Sequence, residues 1–149
     1  DGGHQQWVDA TCNSIKNTLG IEAEGDAYAD FKSLLGDMKA GTTKGAFRQG
    51  WQGDYPSVYN FLFPTYSSNA SSNYSGWKNA EFDKYLSDSL SASGTEAADL
   101  QYKAEELLFE DMPVIPTWYS NTNGAWSTKV SNVQFTWNST VSYYAITKN

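Results

Sequence analysis

Helical and strand-like patterns alternate over the first third of the chain, and this alternation constrains the fold more than any other feature. Apolar residues recur at helical spacing from Val8 to Leu19. The patterns predict, in order, a helix over residues 4–19, a strand over 21–24, a helix over 26–40 and a strand over 46–51. This order is typical of an α/β domain, so we expect a mixed, largely parallel sheet flanked by helices.

The second helix and those beyond residue 51 are predicted from capping residues and apolar stripes. Asp26 is the expected cap of the second helix, and Gly41 is expected to end it. A short helix is expected over 57–63. Two amphipathic helices should follow, one capped by Asn79 and one capped by Thr95, and Pro113 should end the second. Strands are predicted near 114–119, 125–129, 133–137 and 143–147.

The charge balance excludes one class of partner. The formal net charge is -7, from ten basic and seventeen acidic residues, and Arg48 is the single arginine. An acidic chain without a cluster of Lys and Arg repels phosphate backbones, so we expect no nucleic-acid partner. No apolar run approaches the roughly 20 residues that a membrane helix needs. The chain starts directly at a predicted helix, which indicates a piece of a longer protein.

Catalytic and metal-binding patterns are scarce. His4 is the single histidine and Cys12 the single cysteine, which leaves no histidine cluster and no internal disulfide. The acidic pairs Glu105–Glu106 and Glu110–Asp111 fit the solvated face of an amphipathic helix. We therefore expect no catalytic residue, no metal and no cofactor.

The segment 48–56 concentrates residue types that suit ligand binding. It follows a predicted strand, and ligands of α/β sheets bind beyond the carboxyl ends of strands. Asp54 could hold an ammonium group, and the guanidinium group of Arg48 could bind a carboxylate through two parallel hydrogen bonds. An alternative is that Arg48 and Asp54 pair only to fix a turn. Composition and position leave both interpretations open.

Four segments in order resemble the oligopeptide- and dipeptide-binding proteins of ABC transporters, which are bacterial solute-binding proteins of family 5. The opening Gly3-His4-Gln5-Gln6-Trp7-Val8 is similar to a helix start in the second lobe of that family. Phe31–Gly41 resembles its next helix, and Arg48–Pro56 its ligand-contacting segment. Tyr102–Glu105 with Asp111–Pro116 resembles its long helix and the strand that follows. The resemblance covers nearly the whole chain and corresponds to the C-terminal portion of the family.

The resemblance implies roles for individual residues. The aspartate that matches Asp54 receives the α-ammonium of a peptide, and the arginine that matches Arg48 meets its carboxylate. The backbone near Trp51 and Gln52 could pair with an extended peptide as an added strand. The expected ligand-binding residues are Asp54, Trp51, Arg48, Gln52, Gly53 and Tyr55.

The resemblance also implies an organisation and partners. Residues 1–128 should form part of the C-terminal ligand-binding lobe of a two-lobed protein, and residues 129–149 should return towards the other lobe. The expected ligand is a short peptide, and the expected partners are the membrane subunits of an ABC permease. The longer protein should lie outside the cytoplasm, as a surface lipoprotein or in a periplasm.

Three alternatives remain at this stage. The first is a binding protein of the same class for an oligosaccharide or another small solute, because Trp51, Tyr55, Trp77 and Trp118 could stack on sugar rings. The second is a glycosidase-like enzyme, which needs two facing carboxylates in one cleft. The third is a structural surface domain without a ligand.

Overall fold

The computed structural model describes residues 3–149, which fall into two compact units. The first unit ends at Arg48 and the second extends from Gln49 to Asn149. In the described part of the chain, no helix is both long enough and apolar enough to cross a membrane.

The first unit contains two helices, α1 (Gln5–Leu19) and α2 (Phe31–Ala40). They end at Gly20 and Gly41, both in the left-handed conformation, which confirms the predicted ends. The cap of α2 is Asp30 rather than Asp26. The Asp30 carboxylate accepts a hydrogen bond from the Ser33 backbone N at 2.8 Å. The prediction of Asp26 was wrong because a capping side chain reaches only the first turn that follows it.

Three helices form the frame of the second unit: α3 (Tyr59–Tyr66), α4 (Ala80–Ser89) and α5 (Thr95–Asp111). Asn79 caps α4 as predicted, since its side chain accepts from the backbone N of Glu81 at 2.9 Å and of Phe82 at 3.1 Å. The predicted cap of α5 was wrong. Gly94 is the cap, and Thr95 is already the first helical residue.

The core of the second unit lies where α3, α4 and α5 meet. Phe82 and Leu86 of α4 are fully buried, together with Ala104 of α5, and Leu62 of α3 packs against them. The ring of Trp77 meets Phe82 edge to face, with centroids 5.1 Å apart, a favourable geometry for aromatic pairs. This core gives α3, and the loop that precedes it, a fixed base.

The strands are short and lie near the end of the chain. Val130–Ser131 (β1) pairs with Thr147–Lys148 (β4), and Gln134–Phe135 (β2) pairs with Val141–Ser142 (β3). Both pairings are antiparallel. The β2–β3 pair forms a hairpin whose turn contains Trp137 and Asn138.

The expectation of a mixed, largely parallel sheet flanked by helices is therefore wrong. In residues 3–149 the only sheets are the two antiparallel pairs, and the predicted strands at 21–24, 46–51, 114–119 and 125–129 are irregular backbone or turn. An alternating pattern favours an extended segment, but a strand also needs a neighbour whose backbone groups complete the ladder. These four segments have none among the described residues. The division of the chain into lobe segments at residue 128 concerns a longer protein and stays a prediction.

Candidate ligand-binding site

Five of the six predicted ligand-binding residues lie in one loop, Gln49–Pro56, which we call the 49–56 loop. It opens the second unit and leads directly into α3. The sixth residue, Arg48, is the last residue of the first unit and is exposed. Its role towards a ligand carboxylate stays a prediction of the resemblance. The loop was expected to follow a strand, and here too the prediction was wrong, because 46–53 is irregular.

Two glutamine side chains attach the start of this loop to distant parts of the second unit. The Gln49 amide donates from Nε2 to the Ser72 carbonyl oxygen at 2.9 Å. The Gln52 amide donates from Nε2 to the carbonyl oxygen of Asn138, in the turn of the β2–β3 hairpin. In both bonds the acceptor is a backbone carbonyl oxygen, so they restrain the loop backbone without any strand pairing.

Gly53 lies where the loop packs most closely. It is buried, and a Cβ atom built on it would lie 2.8 Å from Cζ of Phe61 and 3.3 Å from Cζ3 of Trp137. Any larger residue would displace one of these rings, since real Cβ atoms do not approach so closely. Phe61 belongs to α3 and Trp137 to the hairpin turn. Glycine therefore lets the rings of two separate elements approach the loop backbone closely.

Asp54 is bound by one side chain of α3. Its backbone N donates to Oδ1 of Asn60 at 2.7 Å, and its Oδ2 accepts from Nδ2 of Asn60 at 3.4 Å. Asn60 is 5% exposed, whereas Asp54 itself is exposed. The ion pairs of the described residues are Lys16–Glu22 and Lys84–Asp88. Within that part of the chain, the Asp54 carboxylate therefore carries no ion-pair partner and faces solvent.

Aromatic rings and unpaired backbone groups accompany this carboxylate. Trp51 is 37% exposed and Tyr55 is 46% exposed. The backbone–backbone hydrogen bonds of the described residues do not involve Trp51, Gln52 or Gly53. The loop thus presents two exposed rings, one carboxylate and backbone groups without a backbone partner within five consecutive residues.

The site has few other titratable neighbours. Partial burial raises the pKa of the Tyr59 hydroxyl above its ordinary value, and the proximity of Tyr55 adds to this effect. In residues 3–149, no group of three or more His, Cys, Asp or Glu side chains could hold a metal ion. The arrangement can therefore bind a cationic or hydrogen-bonding ligand by charge, backbone pairing and ring contact.

Sequence reasoning missed four residues that shape this site. Asn60 and Phe61 come from α3, and Trp137 and Asn138 come from the hairpin turn. A signal existed for Asn60, which is the single polar residue within the run Tyr59-Asn60-Phe61-Leu62. A polar residue placed in an apolar run must find hydrogen bonds once buried. Trp137 and Asn138 lie more than 80 residues along the chain from Gln52, and no local pattern connects them.

Comparison with known proteins gives relatives over most of the chain. It is 33% identical to the oligopeptide-binding protein OppA of Bacillus subtilis over 125 residues, which is 80% of this chain and 22% of that protein. It is 32% identical to the periplasmic oligopeptide-binding protein OppA of Salmonella typhimurium over 117 residues, 78% of this chain and 21% of the relative. The chain belongs to the oligopeptide- and dipeptide-binding protein family.

The membership confirms the resemblance inferred from the four sequence segments. A third relative, the dipeptide-binding protein DppE of Bacillus subtilis, is 29% identical over 120 residues, 79% of this chain and 21% of that protein. No family model matches the chain. The chain spans about a fifth of the length of these relatives. All three relatives are named as binding proteins.

Proposed function

We propose that the full-length protein that carries this chain captures short peptides outside the cell and delivers them to the membrane subunits of an ABC permease. The observation that carries the proposal is the exposed carboxylate of Asp54, fixed in place by Asn60 and without an ion-pair partner among the described residues. The names of the relatives, which are oligopeptide- and dipeptide-binding proteins, support the choice of ligand.

Asp54 would bind the α-ammonium group of the peptide. A charge-assisted hydrogen bond between an ammonium and a carboxylate is shorter and stronger than a neutral one. Because the carboxylate carries no competing cation in the described part of the chain, a ligand ammonium need not displace one. This anchor selects for a free N-terminus and not for a particular side chain.

The backbone of Trp51 and Gln52 would bind the main chain of the peptide. Their N–H and C=O groups take no part in the backbone–backbone hydrogen bonds of the described residues, so they can pair with an extended ligand as an added strand. Main-chain pairing tolerates many side chains. Together with the ammonium anchor, it would suit a protein that collects peptides of varied sequence.

Delivery would depend on closure of the longer protein around the ligand. A ligand shifts a conformational equilibrium only to the extent that it binds one state more tightly. The peptide would therefore have to contact both lobes in the closed state. The relative from Salmonella typhimurium is named as periplasmic, which supports a location outside the cytoplasm for the full-length protein. In this role the protein binds and releases its ligand without chemical change.

Exposed rings favour one second candidate, an oligosaccharide ligand. Trp51 and Tyr55 are both exposed and lie four residues apart in the same loop. Aromatic faces of this kind can stack on the apolar face of a sugar ring. A sugar can donate hydroxyl hydrogen bonds to a carboxylate but carries no ammonium group, so the two candidates differ in whether the ligand needs a free amine.

A thermal-shift screen of the full-length protein separates the candidates. The ligands are trialanine, N-acetyltrialanine and maltotriose, and a bound ligand raises the melting temperature by mass action. We expect a shift with trialanine that acetylation strongly reduces. An equal shift with the acetylated peptide, or a shift with the sugar alone, contradicts the proposal. Release of glucose or maltose from the sugar would instead indicate a glycosidase.

Titration calorimetry of Asp54→Asn then tests the anchor. We expect trialanine binding to weaken by roughly 2–5 kcal/mol, the usual cost of truncating one member of a desolvated charged pair. Asp83→Asn is the matched control. The Asp83 carboxylate also accepts a hydrogen bond from a backbone N, that of Ser68 at 3.0 Å, but it lies outside the 49–56 loop. Unchanged affinity in Asp54→Asn would remove Asp54 from the site.

A further inference from the structure

Asn60 has an environment that is unusual for an asparagine. It is 5% exposed and lies in the first turn of α3, between Tyr59 and Phe61. Burial of a carboxamide is unfavourable unless its polar atoms find partners. Among the described residues, both hydrogen-bond partners of this side chain belong to one residue, Asp54.

The two hydrogen bonds restrain different parts of Asp54. The bond of 2.7 Å from the Asp54 backbone N to Oδ1 of Asn60 fixes the main chain of the loop. The longer bond of 3.4 Å, from Nδ2 of Asn60 to Oδ2 of Asp54, restrains the rotation of the carboxylate. A residue that only closed the turn would need the first bond and not the second.

Asn60 itself is held by the helix. Its backbone N donates to the Ser57 carbonyl oxygen at 3.1 Å, and the next residues, Phe61 and Leu62, donate to the Val58 carbonyl. Leu62 is part of the core formed with Phe82 and Leu86. The orientation of Asp54 is thereby connected to the packed core of the second unit through a single buried side chain.

We propose that Asn60 is the positioning residue for the ammonium anchor, which it holds in the orientation that receives the ligand. This proposal rests on the proposed peptide-binding function of Asp54. A carboxylate that is already oriented loses less conformational freedom on binding, so preorganisation increases affinity. The benefit applies to ligands with a free ammonium group and not to their acetylated forms.

The decisive quantity is the preference for the free amine, defined as the dissociation constant of N-acetyltrialanine divided by that of trialanine. Both constants are measured by titration calorimetry on the full-length protein. We expect Asn60→Ala to lower this preference about tenfold, the size of one hydrogen bond to a charged group. A general loss of stability would weaken the binding of both ligands and leave their ratio unchanged.

Asn73→Ala is the matched control. Asn73 is also partly buried, and its Nδ2 donates to the carbonyl oxygens of Tyr66, Ser67 and Trp77 at 2.8–3.2 Å. It stabilises the loop between α3 and α4 and makes no hydrogen bond to the 49–56 loop. We expect this variant to lower the melting temperature and to keep the preference of the wild type.

Asn60→Leu guards against misfolding of the alanine variant. Leucine has nearly the shape of asparagine, so it fills the buried site while it removes both hydrogen bonds. We expect the same tenfold fall in preference. A folded Asn60→Leu protein with the wild-type preference overturns the positioning role and leaves the peptide-binding proposal intact. A wild-type protein without any preference for the free amine overturns both.

Discussion

Two regions of the second unit have similar aromatic content but differ in how far their hydrophobic side chains are buried. The helical region, residues 59–111, contains Leu62, Phe82, Leu86 and Ala104, the buried hydrophobic residues of this unit. The C-terminal region, residues 113–149, is described in full and contains no buried hydrophobic residue. Its Trp126 is 53% exposed, Trp137 is 55% exposed and Tyr144 is fully exposed.

The difference shows that burial depends on available partners and not on apolar content. Helices α4 and α5 are separated by a few residues, so each supplies the surface that the other covers. The C-terminal strands are two residues long and pair through their backbones, which creates little apolar contact. One exposed ring of this region, Trp137, instead lies beside Gly53 of the 49–56 loop.

The largest test of this comparison removes one ring from each region. We expect Phe82→Ala to lower the free energy of unfolding by about 3–5 kcal/mol, because it leaves a cavity in the core. Trp126→Ala, the matched control, should change it by no more than about 0.5 kcal/mol, as is usual for exposed positions. Urea denaturation of this chain measures both. A cost of more than about 2 kcal/mol for Trp126→Ala would show that the C-terminal region has a core of its own.

The next test concerns the point where the two regions meet. Gly53→Ala places a Cβ against Phe61 of α3 and Trp137 of the hairpin turn, and we expect a loss of about 1–3 kcal/mol from overpacking. Gly36→Ala makes the same change inside α2, where nothing lies within 4 Å, and should stabilise by about 0.5–1 kcal/mol. Thermal unfolding followed by tryptophan fluorescence measures both. A neutral Gly53→Ala would mean that the loop moves freely away from its neighbours.

The smallest expected effects concern the residues at the starts of α4 and α5 in the helical region. Asn79→Ala removes two hydrogen bonds at the start of α4 and should cost about 1 kcal/mol. Thr95→Ala changes the first residue of α5, where Gly94 is the cap and alanine is a good helix former, and should be nearly neutral. Urea unfolding of both variants distinguishes them through its midpoints, provided that the m value stays constant. Equal costs would show that Thr95 has a capping role that this structure does not assign to it.

The candidate site was predicted from local chemistry and from the family resemblance, and its ligand-binding role stays a prediction. Five residues of the loop were predicted because their types suit ligand binding and because the segment resembles the family. They are Trp51, Gln52, Gly53, Asp54 and Tyr55. Their present neighbours were not predictable. Trp137 and Asn138 reach the loop through a hairpin turn 84 or more residues away, a contact that only chain folding creates.

Local sequence patterns predicted many of the helix ends, since helical periodicity, caps and glycine stops act within a few residues of one another. These patterns gave α1, the end of α2 at Gly41 and the start of α4 at Asn79. The strand-like segments depended on the fold, because a strand forms only by pairing with a neighbour that can be distant in sequence. The same reason explains Asn60, whose position could be read from the sequence but whose partner, Asp54, required the fold.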